Sequence, residues 1–445
     1  MSFTTVESRW PDVWLAATAR GTTICGDFLA ATALALALQG AGAGGLAVSG
    51  LLLAATLPLV LLAPLAGRLA DRVDSRTLLV TVGLAQAAIC ALLALADHPV
   101  LVVGLVTLLA CGLAVTQPCL AALLPAMVRR EDLPRASAIS QTAVSLGALG
   151  GPVLAGLLVG QFGTRVPLLL DAATYLALVV AGLLLRTRRG GRRSAATTAT
   201  PANPGGTAKG WRLRRDPLML VMVVSTAVVI AAIGGINVIE VFFIRETLNG
   251  SPTTYGLVSA AWMAGMLPGG WLAARLARRL TDDAALVRGV LVTLAGCSLM
   301  VLLAATVPTA ALLVPLWLVG GAANGGENVF ANLLTARRVP EAMRARAYAS
   351  YGAAVQGGSM TGFLLGGALL AAAPPRPLIA GAGVAGLLVV LVFVPVVARA
   401  VRRPAEADAG LATPGRPAEP KPEARDTVGS WLSASHVPGS GTSSS

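Results

Sequence analysis

The sequence predicts an all-α membrane protein, with twelve transmembrane helices in two pseudo-symmetric six-helix bundles. Three observations predict it. Of 445 residues, 55% are hydrophobic and only 12% charged, about half the charged share of an ordinary soluble domain. Apolar runs of roughly 20 residues recur along the chain, each long enough to cross a ~30 Å hydrocarbon layer as a helix. They lack the period-two alternation of membrane β-strands. A pattern of small residues also repeats at one offset between the two halves.

The runs fall at 13–38, 45–66, 77–96, 100–124, 137–160 and 166–185, then at 218–244, 254–275, 285–307, 309–334, 347–373 and 378–398. The connections between them alternate in charge. One set carries Arg68, Arg72 and Arg76, then Arg129, Arg130 and Arg135, then nine basic residues from Arg186 to Arg215. It continues with Arg275, Arg278, Arg279 and Arg288, then Arg337, Arg338, Arg344 and Arg346, then Arg399, Arg402 and Arg403. The opposite set carries only Arg165, Arg245 and Arg376. Because cytoplasmic loops retain basic residues, both termini are expected in the cytoplasm, in a multi-pass protein of the cell (inner or plasma) membrane. The expected organisation is a cytoplasmic N-terminus (1–12), a six-helix half (13–185), a basic cytoplasmic linker (186–217), a second six-helix half (218–398) and a disordered cytoplasmic tail (399–445). Linker and tail are rich in Pro, Gly, Ser or Thr and charged residues, which cannot bury enough apolar surface to order themselves.

The net charge of +13 does not point to nucleic acid. The arginines sit in short clusters between apolar runs, and aromatic residues are too few to stack bases. Cys25, Cys90, Cys111, Cys119 and Cys297 all fall inside apolar runs without metal-ligand spacing, and read as small buried hydrophobes. His98 and His436 form no catalytic constellation, no phosphate-binding G-x-x-x-x-G-K loop occurs, and nothing suggests an enzyme or a bound metal. The first apolar run is a full span without a basic n-region, unlike a cleavable signal.

The repeat is the most informative pattern. Gly147, Gly151, Pro152, Ala155 and Gly156 recur as Gly358, Gly362, Phe363, Gly366 and Gly367, all 211 residues on. Gly67-Arg68-Leu69-Ala70 matches Gly270-Trp271-Leu272-Ala273 at an offset of 203. Six spans separate the copies, so both begin on the same side, as in a parallel repeat.

Several motifs carry a family resemblance over roughly residues 10–400. Gly67-Arg68-Leu69-Ala70-Asp71-Arg72-Val73-Asp74-Ser75-Arg76, between the second and third spans, resembles the major facilitator superfamily signature. The resemblance implies that Asp71, Arg72 and Arg76 stabilise a closed cytoplasmic gate, with Gly67 allowing close helix approach. The second copy has Ala274 in place of the acid, so only the first half should form this latch. Gly147-x-x-x-Gly151-Pro152-x-x-Ala155-Gly156 resembles the antiporter signature of the same superfamily, which marks exporters more often than importers; glycines four apart let backbones pack closely and proline bends the helix. Gly26-Asp27, Leu123-Leu124-Pro125, Arg130-Glu131-Asp132-Leu133, Leu168-Leu169-Leu170-Asp171-Ala172 and Arg338-Val339-Pro340-Glu341 are similar to the enterobactin-exporter-like and macrolide-efflux-like branch of drug:proton antiporters.

Charges inside the spans are the candidate proton and substrate sites, because a central charge costs ~2.5–3.5 kcal/mol to insert and usually faces a cavity or a partner. Arg20 and Asp27 share one face of the first helix, and Asp27 leads as the proton-titrating group. Asp171, near the outer end of the sixth span, reads more simply as structural. Asn237 and Glu240 lie towards the outer end of the seventh span, where Glu240 could snorkel to the interface. Asn324, Glu327 and Asn328 form a patch at i, i+3 and i+4 in the tenth span, where the first half has Leu113, Thr116 and Gln117. Residues 100–124 lack the arginine common in the fourth span of proton-coupled drug exporters, so proton coupling is implied by the resemblance alone.

The expectation is a monomeric secondary transporter that exports a small amphipathic organic compound (drug, natural product or siderophore) by alternating access. A proton gradient rather than a cofactor would supply the energy, and the partners are substrate, protons and lipid. Nutrient uptake or exchange by the same fold is the alternative, and a non-transporting sensor or scaffold a more distant one.

Overall fold

The computed structural model describes residues 8–411 except 97, 130, 188–212, 214–215 and 281. Most of the basic linker and of the tail, and Arg130 of the branch motif, therefore lie outside the described residues. Residues 1–401 form one compact unit that holds the helical bundle. Of the separate unit 402–445, only 402–411 are described, and they are helical.

Among the described residues, ten helices are long and apolar enough to cross a membrane. Two more, Leu313–Arg338 and Glu341–Leu369, complete the twelve spans. Their mean hydropathy is lower because they carry Asn324, Glu327 and Asn328, and Arg344, Arg346 and Gln356. Helices reach past the apolar runs at the arginine-rich end: the fourth span is Pro99–Met127, the fifth Leu133–Phe162 and the eighth Pro252–Ala277. Once a backbone is helical, continuing it satisfies the next amide, so polarity alone does not end a helix. Caps mark several starts. The side chain of Asp74 accepts from the Arg76 and Thr77 amides at the third span, and Asp216, Ser251 and Asp282 cap the seventh, eighth and ninth.

Two spans are interrupted. The second consists of Gly44–Leu61 and Ala63–Arg72, parted at Leu62 between Pro58 and Pro64. The signature segment is thus mostly helical, with only Val73 and Asp74 between the second and third spans. The seventh span runs Pro217–Ile233, turns at Gly234-Gly235, resumes over Ile236–Phe242 and ends in a π-turn, Phe243–Thr247. The apolar run at 218–244 gave no sign of this break. Its first-half counterpart, Trp10–Gly40, is continuous.

Within the halves, the first span packs on the fifth and sixth, and the third on the fourth and sixth; the seventh packs on the eleventh, and the eighth and ninth on the tenth. Between them, the fifth meets the eighth and the second meets the eleventh. The repeat survives to the level of single residues. A Cβ built on Gly147 would lie 2.2 Å from the Gly21 carbonyl oxygen, and one on Gly358 2.4 Å from that of Ala227. At the boundary between halves, Gly156 faces Gly256 and Gly367 faces Gly45, two pairs related by the same 211-residue offset. From those contacts the second span runs further than the eighth, to Arg72 against Ala277, which absorbs most of the difference between the two offsets.

At the arginine-rich end, the second half is pinned by Arg338, whose Nε lies 2.9 Å from Asp216 and whose Nη1 lies 3.1 Å from Asp283, joining the seventh, ninth and tenth spans. The first half has a lighter tie: Asp12 accepts from the backbone and hydroxyl of Thr187, at 2.9 and 2.6 Å.

Candidate functional site

The two halves enclose a cavity of about 430 Å³, within the range of small-molecule sites. Its walls differ. The first half contributes Phe28, Ala31, Thr32, Ala35, Val48, Leu52 and Pro152, with one hydroxyl among them. The second half contributes apolar residues as well (Ile230, Ile233, Ile236, Met263, Val301 and Val355), and adds to them Asn237, Glu240, Asn324, Glu327 and Asn328, two serines, and the rings of Tyr255, Trp262, Trp317 and Tyr351. All five polar residues read as candidates in the seventh and tenth spans therefore share one space. Helical periodicity places i, i+3 and i+4 of the tenth span on one face, and the turn at Gly234-Gly235 sets Asn237 and Glu240 opposite them.

Both carboxylates are buried. Glu240, 8% exposed, accepts from the Trp317 indole N–H at 3.0 Å. The expectation that it could snorkel to the interface is corrected: its side chain is buried and takes its hydrogen bond from a neighbouring indole. Glu327, 1% exposed, accepts from the Tyr351 hydroxyl at 2.7 Å and the Thr226 hydroxyl at 3.2 Å. Each is held by neutral donors. Asn237 and Asn328 donate their amide N–H groups to the carbonyls of Gly234 (3.1 Å) and Asn324 (2.9 Å), leaving their side-chain oxygens as acceptors.

Asp27 is elsewhere. It accepts from the Tyr175 hydroxyl and borders a separate pocket of about 10 Å³ with Arg20, Thr116 and Gln117, room for about one water. Arg20 lies on the same pocket as expected, and its buried Nε has no hydrogen-bond partner among the described residues. Asp171 is fully buried beside Gly26. It accepts from the Cys90 thiol at 3.2 Å and from the Thr174 hydroxyl at 3.2 Å. The first, third and sixth spans thus gather Asp27, Asp171, Tyr175 and Cys90, a cluster that periodicity on single helices did not reveal.

The motif residues fall into two groups. Gly147 and Gly151 press on the first span, while Pro152 and Gly156 press on the eighth; a Cβ on Gly256 would lie 2.2 Å from the Pro152 carbonyl oxygen. On the other flank, Ser49 donates to the Phe363 carbonyl at 2.6 Å beside Gly45 and Gly367. Gln39 and Glu246 add a contact at 3.1 Å. Those that join the halves, unlike the contacts of Gly147 and Gly151, close the end of the cavity away from the chain termini. Of the gate signature, Arg72 is exposed and Arg76 half-buried at the opposite end; the burial of Gly67 and the side chain of Asp71 lie outside what is described.

Sequence reasoning missed the aromatic partners. Only four tyrosines occur in the chain, and Tyr175, Tyr255 and Tyr351 all border one of the two pockets. Their rarity in helices otherwise built from Ala, Leu, Val and Gly was the available signal.

Two six-helix halves around a closed-ended central cavity define a secondary transporter of the major facilitator type, a multi-pass membrane protein that handles small molecules. A family model described as transmembrane secretion effector matches residues 8–415, and the chain belongs to that family. Among solved structures, a nucleoside transporter is 13% identical over 87% of this chain and 99% of its own, with a TM-score of 0.69. A peptide transporter in complex with sulfate is 15% identical over 90% and 96%, TM-score 0.69. A bacterial homologue of the iron transporter ferroportin, in an inward-facing state, is 17% identical over 88% and 100%, TM-score 0.65. At these identities the likeness is one of fold. No curated protein matches the sequence significantly.

Proposed function

We propose that this protein exports a small amphipathic organic compound across the cell membrane, in exchange for protons and as a monomer, with both termini and the basic linker in the cytoplasm. The observation that carries this reading is the two-faced cavity: an apolar wall from the first half faces a second-half wall that adds carboxylates, amides and rings to its own apolar residues, which suits a molecule with an apolar body and one polar end. The arginine-rich end is the cytoplasmic one by the positive-inside rule. Because the close contacts between halves gather at the other end, this conformation is the one that loads substrate from the cytoplasm. Export then needs these contacts to part while the signature segment of the second span and the cytoplasmic ends of the fifth, eighth and eleventh spans come together. The antiporter-type glycines support the direction, and so does the secretion description of the family.

Asp27 is the proposed proton acceptor. It sits apart from the substrate cavity, with Tyr175 donating to it, and the next residue, Phe28, lines that cavity. Loss of its charge on protonation would alter how the first span packs, and so bias one access state over the other. The test is a panel of drugs and metabolites in an efflux-deficient host, with Asp27→Asn beside wild type. Wild type should confer resistance to at least one amphipathic compound, and collapse of the proton gradient should raise that compound inside the cells. Asp27→Asn should abolish the dependence on the gradient. Equal export by both proteins at every pH would remove Asp27 from coupling, and falling internal substrate on gradient collapse would make the protein an importer.

A further inference from the structure

The chemistry of the cavity goes further than amphipathic. Its wall holds two buried carboxylates, and among the described residues no arginine, lysine or histidine lines it. Every hydrogen bond found to Glu240 and Glu327 comes from an uncharged donor and goes to Oε1, so among the described residues Oε2 of each is left for a ligand. Asn237 and Asn328 each spend one amide hydrogen on a carbonyl of their own helix, which leaves their side-chain oxygens as acceptors near the same wall. Two carboxylates in a poorly solvated space, ionised with a cation beside them, attract it far more strongly than they would in water.

The rings fit the same ligand. The whole chain is 4% aromatic, yet Phe28, Tyr255, Trp262, Trp317 and Tyr351 all border this one cavity. Trp262 and Trp317 stand edge to face, with centroids 6.1 Å apart and planes at 78°, so one indole offers a face where the other offers an edge. Aromatic faces attract a desolvated organic cation. A bare divalent metal is a poor match, because no group of three or more His, Cys, Asp or Glu able to hold one occurs among the described residues.

We propose that this cavity selects organic cations: compounds whose positive charge is held by Glu240 and Glu327 and whose apolar body lies against Phe28, Val48 and Leu52. The proposal rests on the transporter reading above and names its substrate class. The second half recognises the charge and the first half the body.

The test uses two probes of one shape and opposite charge, tetraphenylphosphonium and tetraphenylborate. Binding to the purified full-length protein is measured by calorimetry, with protein-free micelles subtracted. The phosphonium should bind at least about tenfold tighter than the borate, and Glu240→Gln and Glu327→Gln should each reduce that ratio by about tenfold. The ratio cancels any general loss of folded protein, and thermal melting of each variant confirms that it remains folded. A borate that binds as well as the phosphonium, a wild type that binds neither, or a ratio unchanged in both variants overturns the proposal. So does a resistance panel in which only neutral or anionic compounds are exported, although the export reading then stands. A panel with no export at all removes that reading instead.

Discussion

The two halves share a scaffold and divide the chemistry. In each, a glycine-rich fifth or eleventh span presses on the first or seventh, and the same span reaches across to seal the far end of the cavity. Each half also sets a tyrosine hydroxyl on a carboxylate, Tyr175 on Asp27 and Tyr351 on Glu327. The surroundings of these pairs are opposite. The first-half pair faces a pocket of about 10 Å³ beside the buried Asp171, and the second-half pair faces the central cavity of about 430 Å³. Backbone packing tolerates little variation, because a single Cβ at these glycines would overlap a neighbouring carbonyl. Side chains that point into open space are free to diverge. A duplicated fold can therefore keep its hinge and specialise its sites.

The sharpest way to break the comparison is at the seal. Gly256→Leu and Gly45→Leu replace residues related by the repeat, where Cβ atoms would lie 2.2 and 2.8 Å from carbonyl oxygens of the opposite half. Both should abolish transport and cost roughly 1–3 kcal/mol of stability through overpacking. Labelling of a cysteine placed near the far end of the cavity should rise in both, and a large difference between the two would show that the halves close unequally.

A smaller effect separates the pins at the arginine-rich end. Arg338→Met removes one ion pair from Asp216, which is only 7% exposed, and one from Asp283. The loss should be about 2 kcal/mol after allowing for the partial exposure of Arg338 and Asp283. Thr187→Val removes one hydroxyl from Asp12 and leaves the backbone hydrogen bond, so about 1 kcal/mol is expected. Chemical denaturation of the two variants measures both, and equal losses would contradict the ranking.

The finest test concerns the tyrosines. Tyr351→Phe and Tyr175→Phe each delete one hydroxyl, for about 1 kcal/mol or less. Tyr351→Phe should weaken substrate binding and leave the pH profile of transport unchanged. Tyr175→Phe should shift the pH profile and leave binding unchanged. A shift of binding by Tyr175→Phe would mean that the two pockets communicate more closely than their separation suggests.

Sequence alone determined the number and polarity of the spans, the charge asymmetry of the connections and the repeat. Hydropathy, positive charge and small-residue spacing are properties of the chain read in one dimension. It also marked the acids that border the two pockets, Asp27, Glu240 and Glu327, since an ionisable side chain in an apolar run stands out wherever it points. Only the tertiary structure decided which acids share a space. Asp171 joins Asp27 because the first and sixth spans pack at Gly26. Glu240 and Glu327 line one cavity because the seventh and tenth spans both border it, and the seventh packs on the eleventh at Gly234-Gly235, where Gly362 and Gly366 approach too closely for side chains. Trp317 and Tyr351 reach those acids from other helices. Contacts between helices distant in sequence depend on rotation and crossing of whole spans, which leave no period in the sequence of either partner.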